Sequence, residues 1–356
     1  MGEAKFVQGA PAAVIETGPD DKIYPVAKLA TIAEALAAEG VKLADALRGV
    51  RLDASAMSSP QARVSLNQII ACCRNALSLS QNPFFAYHAG LRFHASTQGM
   101  YGFAILSSTD HRKTIKLAVE YHRLATPLAD IAFREEDGRG VWVVSPAPYP
   151  EVDAALYRFL VDMQFGIHIS LHRDVMGPSF APVEIHLRYE PPADVQYCRD
   201  AFGCPVLFGQ SENRLLFDAA WLNNTAQLGN DITNSVVLRL CDELLDDFQL
   251  RAGVSGKVRD VLVTALDRPK PFDAVARELK LSPRTLRRRL QEEGKTFRDV
   301  LDKLRMYVAV KYLRDTALTV DDIADAVGFR DGASFRHAFH RWTQSSPQEF
   351  RGAWRG

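Results

Sequence analysis

The sequence predicts an α+β N-terminal domain followed by an all-α C-terminal domain, in which a long helix joins two helix-turn-helix motifs. Three observations predict it. Within roughly the first 250 positions, apolar spacing switches from helical to alternating and back. Beyond Arg251–Lys257 every run has helical spacing. That last stretch also contains a weak internal repeat of short helix, tight turn and second helix.

A chain of 356 residues exceeds one ordinary core, so two or three domains are expected. Tyr24–Leu47 and Ser65–Leu79 read as amphipathic helices, the second with Ile69, Ala76 and Leu77 at helical spacing. Asp110–Ala125 repeats the pattern with Ile115, Leu117, Ala118 and Tyr121. The period then changes. Ile131 and Phe133 alternate with polar partners, Glu136-Asp137-Gly138 makes a turn, and Val141 and Val143 alternate again, which is a hairpin. Val183, Ile185, Leu187 and Tyr189 give another strand, ended by Pro191-Pro192. A second hairpin is expected to join Val206–Phe208 to Leu215–Phe217. Helix and strand runs without regular alternation indicate an α+β domain.

Asn230–Leu250 reads as a long helix with Val236, Val237, Leu240, Leu244 and Phe248 on one face, closing the domain or packing on a partner chain. Arg251–Lys257, with Gly253, Ser255 and Gly256, is the expected linker. The expected domains are therefore 1–250 and 258–356, with 251–257 between them.

Apolar residues make up 47% and charged residues 24%, the balance of a soluble globular protein. Formal net charge is zero, but it is unevenly placed. Residues 252–356 carry 21 Lys and Arg against 14 Asp and Glu, a net +7, and the remainder carries −7. Such asymmetry places an electrostatic footprint on one end of a chain. No stretch approaches the ~18 apolar residues of a membrane span. Met1–Tyr24 lacks a secretory pattern, so a cytoplasmic protein with no membrane partner is expected. The five cysteines are odd in number and form no paired CxxC motifs. They read as reduced, buried thiols.

The internal repeat carries the chemistry. Its first unit runs Val275–Leu290 and its second Ile323–Phe339. Each has a short helix around an alanine, a tight turn, and a second helix with apolar residues four apart: Leu286 and Leu290, then Phe335 and Phe339. In such motifs the second helix enters the major groove of DNA. Ser282 suits an N-cap and Pro283 the first helical position. With Leu286 and Leu290 inward, Arg284, Arg287, Arg288 and Gln291 form the opposite stripe. Arginine binds guanine O6 and N7 with two hydrogen bonds, or clamps phosphate. Thr285 suits a base edge or a thymine methyl, and Arg289 phosphate or packing.

In the second unit Asp331 is the expected cap, and Phe335, Phe339 and Trp342 pack inward. Ala333, Arg336, His337 and His340 face out; this stripe is less basic and should read fewer bases. Phe297–Arg314 reads as one connecting helix, about 27 Å long at ~1.5 Å per residue. Recognition elements on one face of B-DNA are separated by roughly 34 Å, so the connector is about long enough to set two of them in successive grooves.

These residues resemble the AraC/XylS-type transcription regulators. The resemblance rests on Leu281-Ser282-Pro283-Arg284-Thr285-Leu286-Arg287-Arg288-Arg289-Leu290, Gly294, Arg305, Ala309, Ile323-Ala324, Val327-Gly328-Phe329, Phe335, Phe339, Arg341-Trp342-Thr343 and Ser346-Pro347 with Arg351. It implies an all-α DNA-binding domain with base-reading positions at Arg284, Thr285, Arg287 and Arg288. In the second unit those positions fall on Gly332, Ala333, Arg336 and His337. Two departures stand out: Gln344 occupies a usual glycine position, and Gly332 and Ala333 offer little hydrogen bonding. Gly99–Ser108, Tyr197–Val206 and Asn213–Phe217 are similar to the arabinose-binding-like sensing and dimerisation domain. The domain's name is not evidence for arabinose. The expected regulator is an activator, with repression the open alternative, and its expected partners are a double-stranded DNA operator, a small-molecule effector, RNA polymerase and a second copy of the chain.

His88, Arg92, His94 and Tyr101 fall close together in sequence. Arg92, His94 and Tyr101 are the expected ligand contacts, against the plainer reading of surface charge plus a satisfied loop histidine. His168 and His172 have a spacing that can hold zinc, but no third ligand stands nearby, so a structural role is expected and no metal. No GxSxG, P-loop, HExxH or dinucleotide fingerprint occurs in the first 250 residues. Neither catalytic residues nor a cofactor are therefore expected. The alternatives are an enzyme fused to a DNA-binding module, and an architectural DNA protein, which would need no large sensing domain.

Overall fold

The computed structural model describes residues 5–7, 20, 22–59, 61–125, 128–149, 151–191, 195–224, 226, 228–251 and 253–355. Its described residues divide into two compact units. One holds 5–7, 20–146 and 156–245; the other holds 147–155 and 246–355.

In chain order the first unit begins with β1 (Lys5–Val7), β2 (Tyr24–Pro25), α1 (Ala27–Ala38), α2 (Leu43–Ala46) and β3 (Arg63–Val64). The helices α3 (Leu66–Leu79), α4 (Phe85–Leu91), α5 (Gly99–Ser107) and α6 (His111–Tyr121) follow. Then come β4 (Ala129–Glu136), β5 (Arg139–Pro146), α7 (Ala154–Met176), β6 (Glu184–His186) and α8 (Val195–Phe202). The strands β7 (Val206–Leu207) and β8 (Asn213–Asp218) precede the long α9 (Asp231–Arg251). The principal sheet has the order β1-β4-β5-β8-β6-β7.

Local chemistry sets most of these boundaries. Ser65 caps α3 through a reciprocal box with Gln68, so the helix starts where the sequence places it. Ile69 and Ala76 are fully buried, but Leu77 of the same helix is 42% exposed. The expected single helix over Tyr24–Leu47 is instead β2, α1 and α2: Tyr24 pairs with Val64 of β3, and Gly40 at φ +83 takes the left-handed conformation that ends α1 before α2. The first hairpin forms as expected. Asp137 and Gly138, at φ 46 and 73, make the two-residue turn that suits twisted strands, and Phe133 pairs with Trp142 across it.

The second expected hairpin does not form. β7 and β8 are separated by β6, which pairs antiparallel with β8 through Ile185–Leu215 and parallel with β7 through Ile185–Val206. The strand with the strongest alternation takes the interior position, where both its edges are satisfied; Ile185 and Leu187 are fully buried. α7 is buried nearly all round, as a helix apolar on every side must be. It crosses α4 where two glycines meet. A Cβ on Gly166 would lie 2.3 Å from the Tyr87 carbonyl oxygen, and one on Gly90 2.2 Å from that of Met163.

The second unit is helical: α10 (Gly253–Val263), α11 (Phe272–Glu278), α12 (Pro283–Glu292), α13 (Phe297–Asp315), α14 (Val320–Ala326), α15 (Gly332–Thr343) and α16 (Pro347–Arg355). One apolar cluster runs through both helix pairs, including Val275, Leu286, Leu290, Val310, Ile323, Phe335 and Phe339. Full burial of each such side chain is worth about 1.5–3 kcal/mol. Residues 253–257, expected within the linker, are instead the first turns of α10, with Val254 and Val258 in that core. Their glycines and serine are tolerated because the Glu293 carboxylate accepts from the Val254 and Ser255 N–H groups at the helix start. Ala252 and the side chains of Tyr197 and Phe248 lie outside the described residues. All five cysteines are buried and free. No described helix is long and apolar enough to cross a membrane.

Candidate nucleic-acid interface

The first helix-turn-helix is α11, a turn through Leu279–Leu281, and α12. Lys280 makes the turn at φ 54. Ser282 Oγ accepts from the Thr285 N–H at 3.1 Å, and Pro283 follows in the first turn. Leu286 and Leu290 are at most 2% exposed. The opposite face of α12 therefore carries Arg284, Arg287, Arg288 and Arg289 into solvent, with Thr285 half-buried beside the cap. Two of these guanidiniums are already positioned. Arg287 lies 5.3 Å over the Phe272 ring of α11, and Arg288 pairs with Glu292 at 2.6 Å. That second pair is exposed and therefore weak, so an incoming phosphate or guanine can replace the Glu292 carboxylate.

The second unit is α14, a turn through Val327–Arg330, and α15. Asp331 accepts from the Ser334 N–H and hydroxyl, and these bonds hold its carboxyl below the usual carboxylate range. Phe335 and Phe339 are fully buried, and Trp342 is half-buried against Phe329. Ala333 and His337 are exposed, while Arg336 is turned back to Asp321 at 3.1 Å. Each set of sequence-nominated DNA contacts therefore lies on the outer side of its own second helix.

α13 joins the two units. Its 19 residues span about 28 Å, one residue more than the sequence suggests. Thr296 and Asp299 form a capping box at its start. At mid-helix Arg305 donates to the carbonyls of Val327 at 2.9 Å and Gly328 at 2.7 Å, and its guanidinium stacks on Phe329. Arg351 of α16 donates to the Leu313 and Leu318 carbonyls. Sequence reading noted Arg305 and Arg351 only as resemblance; their work is to satisfy helix-end carbonyls.

In the sheet-bearing unit, Arg92, His94 and Tyr101 do not converge on one described cavity. Arg92 is exposed, and His94 Nδ1 lies 3.0 Å from the Asp174 carboxylate. Tyr101 is buried, donating to the Ala118 carbonyl at 3.3 Å. Tyr101 lines a cavity of about 30 Å³ with Trp142, Gln164, His168 and His172, room for a water or two. His172 Nε2 accepts from the Trp142 indole at 3.1 Å. Burial pulls His168 down to about 4 and His172 to about 3, so both are neutral structural imidazoles. Among the described residues no group of three His, Cys, Asp or Glu is arranged to hold a metal.

A larger cavity, about 280 Å³, opens beside Lys28, a residue the sequence reading passed over. Its signal is that Lys28 stands four and seven positions before Ile32 and Ala35, both buried on α1.

The profile described as "Arabinose-binding domain of AraC transcription regulator, N-term" matches residues 40–226, and a helix-turn-helix domain profile matches 275–353. The chain is 29% identical over 336 residues to the "Ornithine utilization regulator" of Pseudomonas aeruginosa, covering 93% of this chain and 97% of that one. An 81-residue stretch of the chain is 42% identical to the "HTH-type transcriptional activator RhaS" of Shigella boydii, 22% of this chain and 29% of that one. Among solved structures, transcriptional regulator CdpR of Pseudomonas aeruginosa aligns with TM-score 0.48 and 23% identity, over 90% of this chain and 96% of that one. The chain belongs to the AraC family of transcription regulators: it is a DNA-binding regulator whose arabinose-binding-type N-terminal domain precedes a C-terminal helix-turn-helix domain.

Proposed function

We propose that the chain is a cytoplasmic, effector-responsive transcriptional activator rather than an enzyme. Residues 1–250 bind a small metabolite and pair two subunits, and residues 258–356 grip an operator. The observation that carries this reading is the division of α12: Leu286 and Leu290 are sealed in the core while Arg284, Arg287 and Arg288 stand in solvent. With Thr285 they form the stronger reading surface. Ala333, Arg336 and His337 form the weaker one, because Arg336 must first leave Asp321. The likeness to a named activator supports activation, for which RNA polymerase is the proposed partner, and the likeness to a regulator of ornithine utilisation supports metabolite control.

Homodimer formation draws support from α9. Ile232, Val236, Leu240 and Leu244 recur every fourth residue on that helix and are 40–81% exposed, whereas Val237 and Cys241 face the core. A second copy covering this row would remove its apolar surface from water. Effector binding then shifts the population of two arrangements of the paired reading domains, provided one arrangement binds the effector better.

Footprinting of purified protein on its own promoter region tests the reading. Protection of about two helical turns per subunit is expected; protection confined to a single groove would refute the tandem arrangement. Sedimentation of a Val236→Asp, Leu240→Asp double variant should show monomers where the parent shows dimers.

A further inference from the structure

We infer that the cavity beside Lys28 is the effector pocket of the sensing domain, and that its ligand is a small organic carboxylate with an apolar body. The inference rests on the effector-responsive reading above and names its ligand class.

Lys28 lies on α1, is 6% exposed, and lines the cavity. Among the described residues its ammonium has neither an ion-pair nor a hydrogen-bond partner. It lies 5.3 Å over the face of Phe93, with the neutral Cys73 thiol also near it. A buried ammonium without a counter-charge is costly. Here burial pushes it down to about 8, which still leaves it mostly charged at neutral pH. The cost persists because no described residue offsets it. An anion entering the cavity would.

A second feature of the same cavity suits that charge. Gly99 lines the cavity and begins α5, nine residues long, whose N-terminus carries no side-chain cap. A helix N-terminus presents a partial positive charge. Gln98 and Ser96 line the same cavity, and neither side chain has a hydrogen-bond partner among the described residues.

The remaining walls are apolar, drawn from Ile69, Phe93 and Leu124. One ammonium with one helix end balances a single negative charge, so a carboxylate fits and a doubly charged phosphate ester leaves charge uncompensated. A void of about 150 Å³ holds a benzene ring, so 280 Å³ admits a short or aromatic carboxylic acid. Such a ligand bridges α1, α5 and the turn after α6.

Thermal unfolding of the full chain, without DNA, tests this with benzoate and hexanoate, using benzamide and hexanamide as uncharged matches at equal ionic strength. At about 10 mM the carboxylates should raise the parent's Tm by about 2–4 °C and the amides should not. Lys28→Met should raise the unliganded Tm and abolish the carboxylate response. Leu124→Trp, which keeps the charge and fills the space, should abolish the response as well. No carboxylate-selective shift in the parent, or a shift that survives in both variants, overturns the assignment. Operator binding is measured on the same preparations. A carboxylate response without sequence-specific DNA binding would sink the regulator reading and leave the pocket standing.

Discussion

The Arg305 guanidinium on the connecting helix α13 donates to the Gly328 carbonyl at 2.7 Å and so closes the end of α14, more than twenty residues away. The second helix of the second unit, α15, is thereby tied to the connector through the turn that precedes it. Arg305→Ala leaves the Val327 and Gly328 carbonyls without this donor and removes the stack on Phe329. A loss of about 1–3 kcal/mol in urea unfolding is expected, with weaker protection of the second half of the footprint. Unchanged stability would show that water replaces the guanidinium at no cost.

Arg288→Ala separates recognition from folding. The pair with Glu292 is exposed and contributes little to stability, so unfolding should change by less than about 0.5 kcal/mol. Operator affinity, read by fluorescence anisotropy, should fall by about 1–3 kcal/mol, with relaxed preference at one base position if the contact is to a base edge. A uniform loss across sequences, with a shallower salt dependence, would instead assign Arg288 to phosphate.

Gln344 closes α15 at φ 58 and ψ 18, the left-handed conformation that favours glycine. Its side chain contributes a bond of 3.3 Å to the Arg341 carbonyl. Gln344→Gly should therefore raise stability by about 1 kcal/mol, measured by thermal or urea unfolding. A decrease would mean that the side-chain bond outweighs the backbone strain.

Lys28 should leave a signature in the alkaline limb of stability. Its ammonium is held at about 8, against the usual 10.5, chiefly by burial. The adjacent thiol of Cys73 is pushed upward by burial and stays neutral in this range. Between about pH 8 and 10.5 the unfolded chain therefore binds more protons than the folded one, so native stability rises with pH through that window. Below pH 8 the full cost, on the order of 3 kcal/mol, remains. Relative to Lys28→Met, the ligand-free parent should gain stability as pH climbs from 8 toward 10.5. Parallel curves for the two proteins would show that the ammonium is not desolvated.

Much of this architecture could be read along the chain. Ser282 and Asp331 cap helices where they were expected to, the helices after Ser65 and Asp110 start where their segments do, and Asp137-Gly138 turns the first hairpin. Leu286, Leu290, Phe335 and Phe339 bury the faces that leave the arginine stripe outside. These features act over one to four residues, through bonds and side-chain directions that the local backbone sets.

Other features needed distant partners. Val206–Phe208 and Leu215–Phe217 look like hairpin arms, yet β6 outcompetes that pairing from farther back in the chain. The glycine-rich start of α10 reads as a linker until Glu293, some forty residues on, caps it. Nothing along the chain singles out Lys28; the cavity it shares with Phe93, Gly99 and Leu124 appears only in the folded chain. Periodicity reports which side of an element is apolar, and it does so from neighbours in sequence. Whether that side meets a strand edge, a carboxylate or an unfilled space depends on which remote segments pack there. Burial, and with it the cost of a charge, is fixed only by those neighbours in space.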